Sequence, residues 1–301
     1  MKKLLWMFLP FLFSGMAHAR DCCECSCNPD CCKPKPEKQK PKTPKQKPKM
    51  SNKDLIKQEY GKIAQGTDSC VPGAECCAGG CCGGGSDLSQ YLGYSEEELK
   101  AIPEANFGLG CGHPVSLGEI KAGDVILDLG SGAGIDCFIA AKIVGQSGKV
   151  IGVDMTPAMI AKAQENAKKY NIQNVEFRLG EIENLPVKNG SIDIIISNCV
   201  INLSDDKDKV FQEAHRVLKP GGKMYVSDVV LLEELTPAQR TDPQLICACI
   251  GGALLQDEYI KKLETSGFIV EIIDLDTEIN KKWFGNDELP IASLKFIAHR
   301  K

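Results

Sequence analysis

From Asp124 onward, apolar runs of strand length alternate with amphipathic stretches of helix length. VILDLG, KVIGVD, VEFRLG, IDIIISNCV and KMYVSDVV read as strands. Between them, Ile135 to Val144, Pro157 to Tyr170 and Asp206 to Leu218 carry helical periodicity, and so does a stretch near Asp257 to Thr265. KPGG turns the chain into the fifth strand, and FIVEIIDLD and ASLKFIAHR supply two late strands. Strands this continuously apolar are buried on both faces, and their alternation with helices requires a mostly parallel sheet. The pattern predicts an α/β fold with a doubly wound sheet and helices on both faces.

Before Asp124 the pattern breaks up. YSEEELKAIP predicts a short helix capped reciprocally by Ser95 and Glu98 and stopped by Pro103. Residues 51–86 read as a short helix over Asp54 to Tyr60 followed by a loop rich in cysteine and glycine, with the globular domain spanning 87–301. Residues 20–50 form a Cys-rich, then Lys/Pro-rich linker unable to bury a core. Residues 1–19 resemble a secretory signal: Lys2 and Lys3 precede an apolar run from Leu4 to Gly15, and Ala17-His18-Ala19 fits a signal-peptidase site. That run is short for a bilayer, so no stable membrane insertion of the mature domain is expected. Export is the expectation from this segment, and a cytoplasmic location remains the alternative.

Composition refines the picture. The 301 residues are 43% hydrophobic, normal for a packed core. The net charge of −4 includes eight lysines against one glutamate in residues 33–50, so the globular part is markedly acidic and nucleic acid is excluded as its expected partner. Of the 16 cysteines, eleven fall in two clusters, Cys22 to Cys32 and Cys70 to Cys82. Adjacent cysteines are poorly placed to bridge each other; soft-metal ligation and a cysteine-rich disordered arm both remain open.

VILDLGSGAGID puts Gly130, Gly132 and Gly134 where the first strand gives way to a helix, a turn that must be tight and open to a close ligand. Asp154 ends the second strand, where a carboxylate reaches ribose hydroxyls. The spacing is GxGxG rather than GxGxxG, and Asp128 before it would repel a pyrophosphate and suit a cationic amino acid moiety. The turn is similar to that of class I S-adenosylmethionine (SAM) methyltransferases.

Five cysteines remain. Cys137 reads as core filler, Cys199 sits at the carboxyl end of the fourth strand, and Cys247 and Cys249 are two apart on an expected helix, so that one faces the site. Cys111, in FGLGCGHP, has glycines on both sides and no packing face of its own. Read together, EANFGLGCGHPV, VILDLGSGAGIDCFIAAK, VIGVDMTPAMI, VEFRLGEIENLPV, DIIISNCVINLS and CIGGAL resemble the arsenite methyltransferases from about Tyr60 to the end. The resemblance implies a Rossmann-like class I fold with seven strands and an antiparallel C-terminal strand. It implies a site in which Cys111, Cys199 and Cys249 hold trivalent arsenic for methylation. It implies SAM held by Asp128, Gly130, Gly132, Gly134, Asp154, Met155, Glu181 and Asn198, with Glu181 near the adenine. Arsenite and methylarsenite are the expected substrates, with a thiol reductant such as thioredoxin or glutathione.

Soft trivalent arsenic prefers thiolates, and three of them leave one lone pair free. The glycines around Cys111 are expected to make a mobile loop that brings its thiol over the other two. Cys76, Cys77, Cys81 and Cys82 are expected to relay arsenic inward or to form a regulatory disulfide, with a disordered loop as the alternative. His113 stands where the family pattern has asparagine. Two other readings remain: a SAM methyltransferase for another small molecule, and an exported thiol-rich protein that sequesters metal without catalysis.

Overall fold

The apolar runs assemble into a seven-stranded sheet in the order β3-β2-β1-β4-β5-β7-β6. The computed structural model describes residues 50–67, 84–284 and 288–301. The leader-like segment, both cysteine clusters and the Lys/Pro stretch lie outside them. Among the described residues no helix is long and apolar enough to cross a membrane.

Among the described residues, α1 (Asn52–Ala64), α2 (Gly84–Tyr91) and α3 (Glu96–Ala101) are the α-helices that precede the sheet. Helix α1 is longer than the expected Asp54–Tyr60 because the Ser51 hydroxyl caps it by accepting the Asp54 N–H. Helix α3 carries the expected Ser95–Glu98 capping box. Then follow β1 (Val125–Leu129), α4 (Ile135–Val144), β2 (Lys149–Asp154), α5 (Pro157–Lys169), β3 (Val175–Leu179), β4 (Ile192–Asn198), α6 (Lys207–Val217) and β5 (Leu218–Leu231). Short helices α7 (Pro237–Arg240) and α8 (Pro243–Cys247) lead to α9 (Gln256–Thr265), β6 (Phe268–Asp276), α10 (Ile279–Phe284) and β7 (Ile291–Arg300).

Strands β1 to β5 pair in parallel, and β7 runs antiparallel between β5 and β6. The KPGG segment is less of a turn than expected. Strand β5 continues through it as an outward loop, with Leu218 opposite Ile192 and Lys223 opposite Ile194, and Gly221 takes φ +74°.

Period-two burial sorts the strand residues onto two faces. Leu127, Leu129 and Ile195 join Phe211 of α6 and Tyr259 of α9 on one side. Ile126, Ile194 and Ile196 join Cys137 and Phe138 of α4 on the other. Asp128 shares the parity of Ile126, so its carboxylate lies on the α4 side at the carboxyl end of β1. On the first face Phe211 meets Tyr259 edge to face at 5.6 Å between ring centroids, and both are fully buried. Phe211→Ala is expected to lower the unfolding free energy by about 3–5 kcal/mol. Urea denaturation followed by circular dichroism checks this, and a loss well under 1 kcal/mol would contradict the assigned packing.

Candidate active site

Strand order reverses between β1 and β4, and in open α/β sheets the crevice at such a switch point is where ligands sit. An open cleft of about 1110 Å³ occupies it. The three glycines of the first turn have positive φ but different tasks. A Cβ on Gly130 would fall 2.3 Å from Val200, and one on Gly134 would fall 2.8 Å from Phe138 and Phe177, so these two are packing requirements. A Cβ on Gly132 would meet nothing within 4 Å, which leaves the middle of the turn open to the cleft. Beside it the buried Ser131 hydroxyl has no hydrogen-bond partner.

The acids around this turn are enclosed. Asp154 accepts the Gly132 N–H at 3.0 Å and the Thr156 N–H at 2.7 Å, tying the end of β2 to the glycine turn, while burial raises its carboxyl pKa. Burial, reinforced by the neighbouring Asp136, pushes Asp128 well above the usual carboxylate range. Cys137, expected as plain core filler, is fully buried but also donates its thiol to Asp128 at 3.2 Å. Met155 and Asn198 line the cleft with Asp128 and Asp154. Glu181 does not appear on the cleft wall; its two oxygens take Lys53 at 3.0 Å and Lys57 at 3.1 Å, which hold its pKa below the usual value. These lysines belong to α1, and Lys53, Ile56 and Tyr60 of that helix wall the cleft. This wall was not legible along the chain, because Lys53 and Lys57 stand more than a hundred residues from Glu181.

Cys111, Cys199 and Cys249 converge in one buried cluster at the cleft floor. They are 0%, 4% and 2% exposed, and Cys199 alone of the three faces the cleft. The Cys199 thiol hydrogen-bonds with those of Cys111 and Cys249; these bonds and then burial push its pKa well up, and burial raises that of Cys111. No disulfide joins them. Among the described residues no three ligand side chains surround a common point suited to a metal ion, so the sulfurs meet as a chain, with Cys199 between Cys111 and Cys249.

Two of these thiols sit on unusual backbone. Among the described residues, three that are not glycine have positive φ: Asn171, Cys199 at 57° and Cys249 at 65°. A side-chain-bearing residue pays roughly 1–2 kcal/mol for this conformation. Cys249 is not on a helix, contrary to expectation. Helix α8 ends at Cys247 with Ala248 as its C-cap, the Cys249 N–H bonds the Ile246 carbonyl at 3.2 Å, and the Ile250 N–H bonds the Leu245 carbonyl at 2.9 Å. That is a Schellman motif with cysteine in the place glycine usually holds. It turns the Cys249 thiol onto the Cys199 carbonyl.

The loop carrying Cys111 is pinned rather than free. The Cys111 N–H donates to Asn198 Oδ1 at 3.0 Å, and its carbonyl accepts the Ser293 hydroxyl at 2.6 Å. Its glycines allow close approach: a Cβ would fall 2.5 Å from the Asn198 amide at Gly110 and 2.4 Å from Ser227 Oγ at Gly112. His113 is buried against Tyr94, ring centroids 4.3 Å apart.

Two groups near the thiols escaped the sequence reading. The Tyr60 hydroxyl donates to the Cys247 carbonyl at 3.1 Å and interacts with the Cys249 thiol; burial and then the neighbouring cysteines raise its pKa well up. Asp228, at the end of β5, is fully buried and accepts from Tyr259 at 3.0 Å, Asn202 at 3.0 Å and the Val229 N–H at 2.9 Å. Burial lifts its carboxyl to about 7 despite those donors.

Residues 120–267 match the methyltransferase domain family. The arsenite methyltransferase of Halobacterium salinarum is 41% identical over 252 residues, covering 79% of this chain and 63% of that protein. The human arsenite methyltransferase is 39% identical over 191 residues, 58% of this chain and 51% of that one. A crystal structure of an arsenic(III) S-adenosylmethionine methyltransferase from Chlamydomonas reinhardtii is 36% identical and superposes with a TM-score of 0.54 over 68% of this chain and 73% of that one. The chain belongs to the arsenic methyltransferase family. It spans about three fifths of the length of the H. salinarum relative and about half of the human one. The fold is that of the class I methyltransferases, as the resemblance implied; the strand pattern had anticipated its doubly wound sheet.

Two tests follow from the geometry of this family member. In a left-handed position glycine is the relaxed residue, so Cys249→Gly is expected to be at least as stable as Cys249→Ala, by up to about 1 kcal/mol, reversing the usual order. Chemical denaturation of the pair checks it, and an alanine variant clearly more stable would show no strain at 249. Asp228 titrates near 7 when folded against 3.8 as its ordinary value. The fold favours the neutral acid, so this contribution is complete below pH 3.8 and lost as pH rises through 7. Carbon-13 NMR of the carboxyl, compared with Asp228→Asn, reports it; a midpoint below 5 would contradict the burial argument.

Proposed function

We propose that this chain methylates trivalent arsenic, taking the methyl group from SAM and giving methylated arsenicals, a detoxifying reaction. The observation that carries the proposal is the convergence of Cys111, Cys199 and Cys249 at the floor of the cleft. The names of the relatives agree with it, since each is called an arsenite or arsenic(III) methyltransferase.

The cleft suits SAM on its own terms. Gly132 leaves a cradle that a Cβ would fill, the Ser131 hydroxyl lacks a partner, and burial raises the carboxyls of Asp128 and Asp136, a cost that a cationic amino acid moiety lying beside them would offset. Asp128, Gly130, Gly132, Asp154, Met155 and Asn198 would hold it, with Gly134 supporting the turn through its packing. Glu181 and Glu183, paired with Lys53 and Lys57, would fasten α1 across the mouth. Bound there, SAM supplies an electrophilic methyl group on a cationic sulfur whose departure requires no protonation.

The protein's own contribution is to bind, orient and dry the acceptor. Arsenite enters as a neutral hydroxide; each arsenic–oxygen bond is exchanged for an arsenic–sulfur bond, and each thiol proton leaves with hydroxide as water. Neutral thiols are therefore competent, which fits Cys111 and Cys199 with pKa values raised by burial and mutual hydrogen bonding. Three thiolates leave one lone pair on arsenic, and Cys199, the one that faces the cleft, directs it there. Fixing donor and acceptor in one geometry contributes up to about 7–11 kcal/mol in favourable intramolecular models. Methylation raises the formal valence of arsenic by two, so return to the trivalent state takes two electrons from a thiol reductant of the thioredoxin or glutathione class. Methylarsenite is then the next acceptor.

Cys199→Ser is expected to abolish arsenite methylation while SAM binding survives, and Asp154→Ala to weaken SAM binding instead. Arsenic speciation by chromatography with mass detection, together with calorimetry for SAM, separates the effects. Full methylation by the Cys199→Ser protein would remove that thiol from the reaction. Binding of both arsenite and SAM by the wild-type protein without any methylated product would leave a sequestering protein.

A further inference from the structure

Asn198 stands between the cofactor cleft and the thiols, and its side-chain amide is used on both sides. Its Oδ1 accepts the Cys111 N–H at 3.0 Å. Its Nδ2 donates to the Gly112 carbonyl at 2.8 Å, the Tyr94 hydroxyl at 2.9 Å and Asp136 at 3.2 Å. Tyr94 gives its own proton to Asp136 at 2.8 Å, so its oxygen is left to accept. The amide can face only one way: reversed, its NH₂ would oppose the Cys111 N–H and its oxygen would oppose the Gly112 carbonyl. The loop therefore takes its register from Asn198, at a separation that a methyl group on Gly110 would not permit.

The other two thiols are held independently. Cys199 is fixed by its N–H to the Ser227 carbonyl at 2.8 Å, and Cys249 by the α8 terminus and by its thiol on the Cys199 carbonyl. Of the three, only Cys111 is bonded by the asparagine amide, which holds its N–H while the Ser293 hydroxyl holds its carbonyl. An arsenical with three exchangeable hydroxyls uses all three thiols, whereas one that already carries a methyl group has two positions left and is satisfied by Cys199 and Cys249.

We infer that Asn198 is a positioning residue that determines acceptor specificity: by pinning the Cys111 loop between Tyr94 and Asp136 it supplies the third thiol that arsenite requires and methylarsenite does not. This rests on the arsenic methylation proposed above. Asn198 acts through Cys111, and because the same amide reaches Asp136 on the cleft wall, it ties capture of the acceptor to the side of the cleft where SAM would lie.

The test uses the full chain and reads arsenic binding directly. Asn198→Ala is compared with Gly110→Ala, which displaces the amide from the other side, and with Cys111→Ser. Equilibrium dialysis gives affinities for arsenite and methylarsenite, X-ray absorption gives the number of arsenic–sulfur bonds, and calorimetry gives SAM affinity. Expected are loss of one sulfur neighbour and a drop of about tenfold or more in arsenite affinity in both the asparagine and the glycine variant. Methylarsenite affinity stays within about threefold, SAM affinity is kept in Cys111→Ser but falls in Asn198→Ala, whose amide lines the cleft, and the double variant Asn198→Ala/Cys111→Ser binds arsenite no more weakly than Cys111→Ser alone. A structural defect would lower both arsenicals together and would add to Cys111→Ser. Three sulfur neighbours retained in Asn198→Ala, or parallel loss of both arsenicals, overturns the inference. Wild-type protein that binds arsenite through three sulfurs yet transfers no methyl overturns the parent reading instead, and leaves this assignment standing as one of metal capture.

Discussion

Parallel pairing of β1 with β4 is the constraint on which the rest of the molecule depends. Leu129 lies opposite Ser197 in that register, so one residue further along each strand stand Gly130 and Asn198, and next Ser131 and Cys199. The glycine turn and the thiol floor are thus successive residues of two hydrogen-bonded neighbours rather than features of separate loops. A shift of one residue would turn Asp128 toward Phe211 and Tyr259 and remove the cleft's charge. Such a slip is opposed because it would carry the Asp128 carboxyl into the apolar layer around Phe211 and Tyr259.

Against that rigid pair the chain sets two strained cysteines. Left-handed backbone at Cys199 and Cys249 is tolerated because each is overdetermined. Cys199 is tied to β5 by its N–H, and Cys249 closes a helix whose last carbonyls it satisfies. A glycine would hold either turn at lower cost, so retaining sulfur at both places points to what the side chain does. The same reasoning sorts the glycines, because Gly130, Gly134, Gly110 and Gly112 yield to neighbouring atoms, while Gly132 yields to empty space.

Much of this was legible along the chain. Periodicity gave the strands and the long helices nearly to the residue, because segments such as Ile135–Val144 are bounded by glycine and by the polar turns of the sheet edge. The glycine turn was legible in its spacing, and the three thiols through resemblance. What escaped had physical reasons. The handedness of Cys249 was hidden because its signal, a helix ending two residues early, rests on Asp242 capping a five-residue helix with no periodicity of its own. Tyr60 was missed because it reaches Cys249 from a distant segment, and Asp228 because its burial beneath Tyr259 and Asn202 leaves no mark on the strand pattern. The glycines around Cys111 were visible, but their purpose was misjudged: they admit Asn198 and Ser227 to the backbone rather than loosen it.

Burial of the thiols and reach of the substrate pull in opposite directions. Enclosure keeps Cys111 and Cys199 protonated, which protects them from oxidation, because the thiolate is the reactive form. Enclosure also denies arsenite a direct path to Cys111 and Cys249, and the wall that excludes water includes Tyr60, whose hydroxyl touches both the Cys247 carbonyl and the Cys249 thiol. The layer that covers the thiols is α1 against the end of α8, where Ile56 packs in a small apolar cluster with Ile246 and Cys247 beside the Tyr60 hydroxyl, while lysine–glutamate pairs hold α1 to the segment after β3. Ion pairs of that kind contribute about 1 kcal/mol or less each, whereas the β1–β4 pairing beneath is buried on both faces. A small apolar cluster thus covers a sheet buried on both faces, and the register that aligns glycine turn and thiols does not depend on α1.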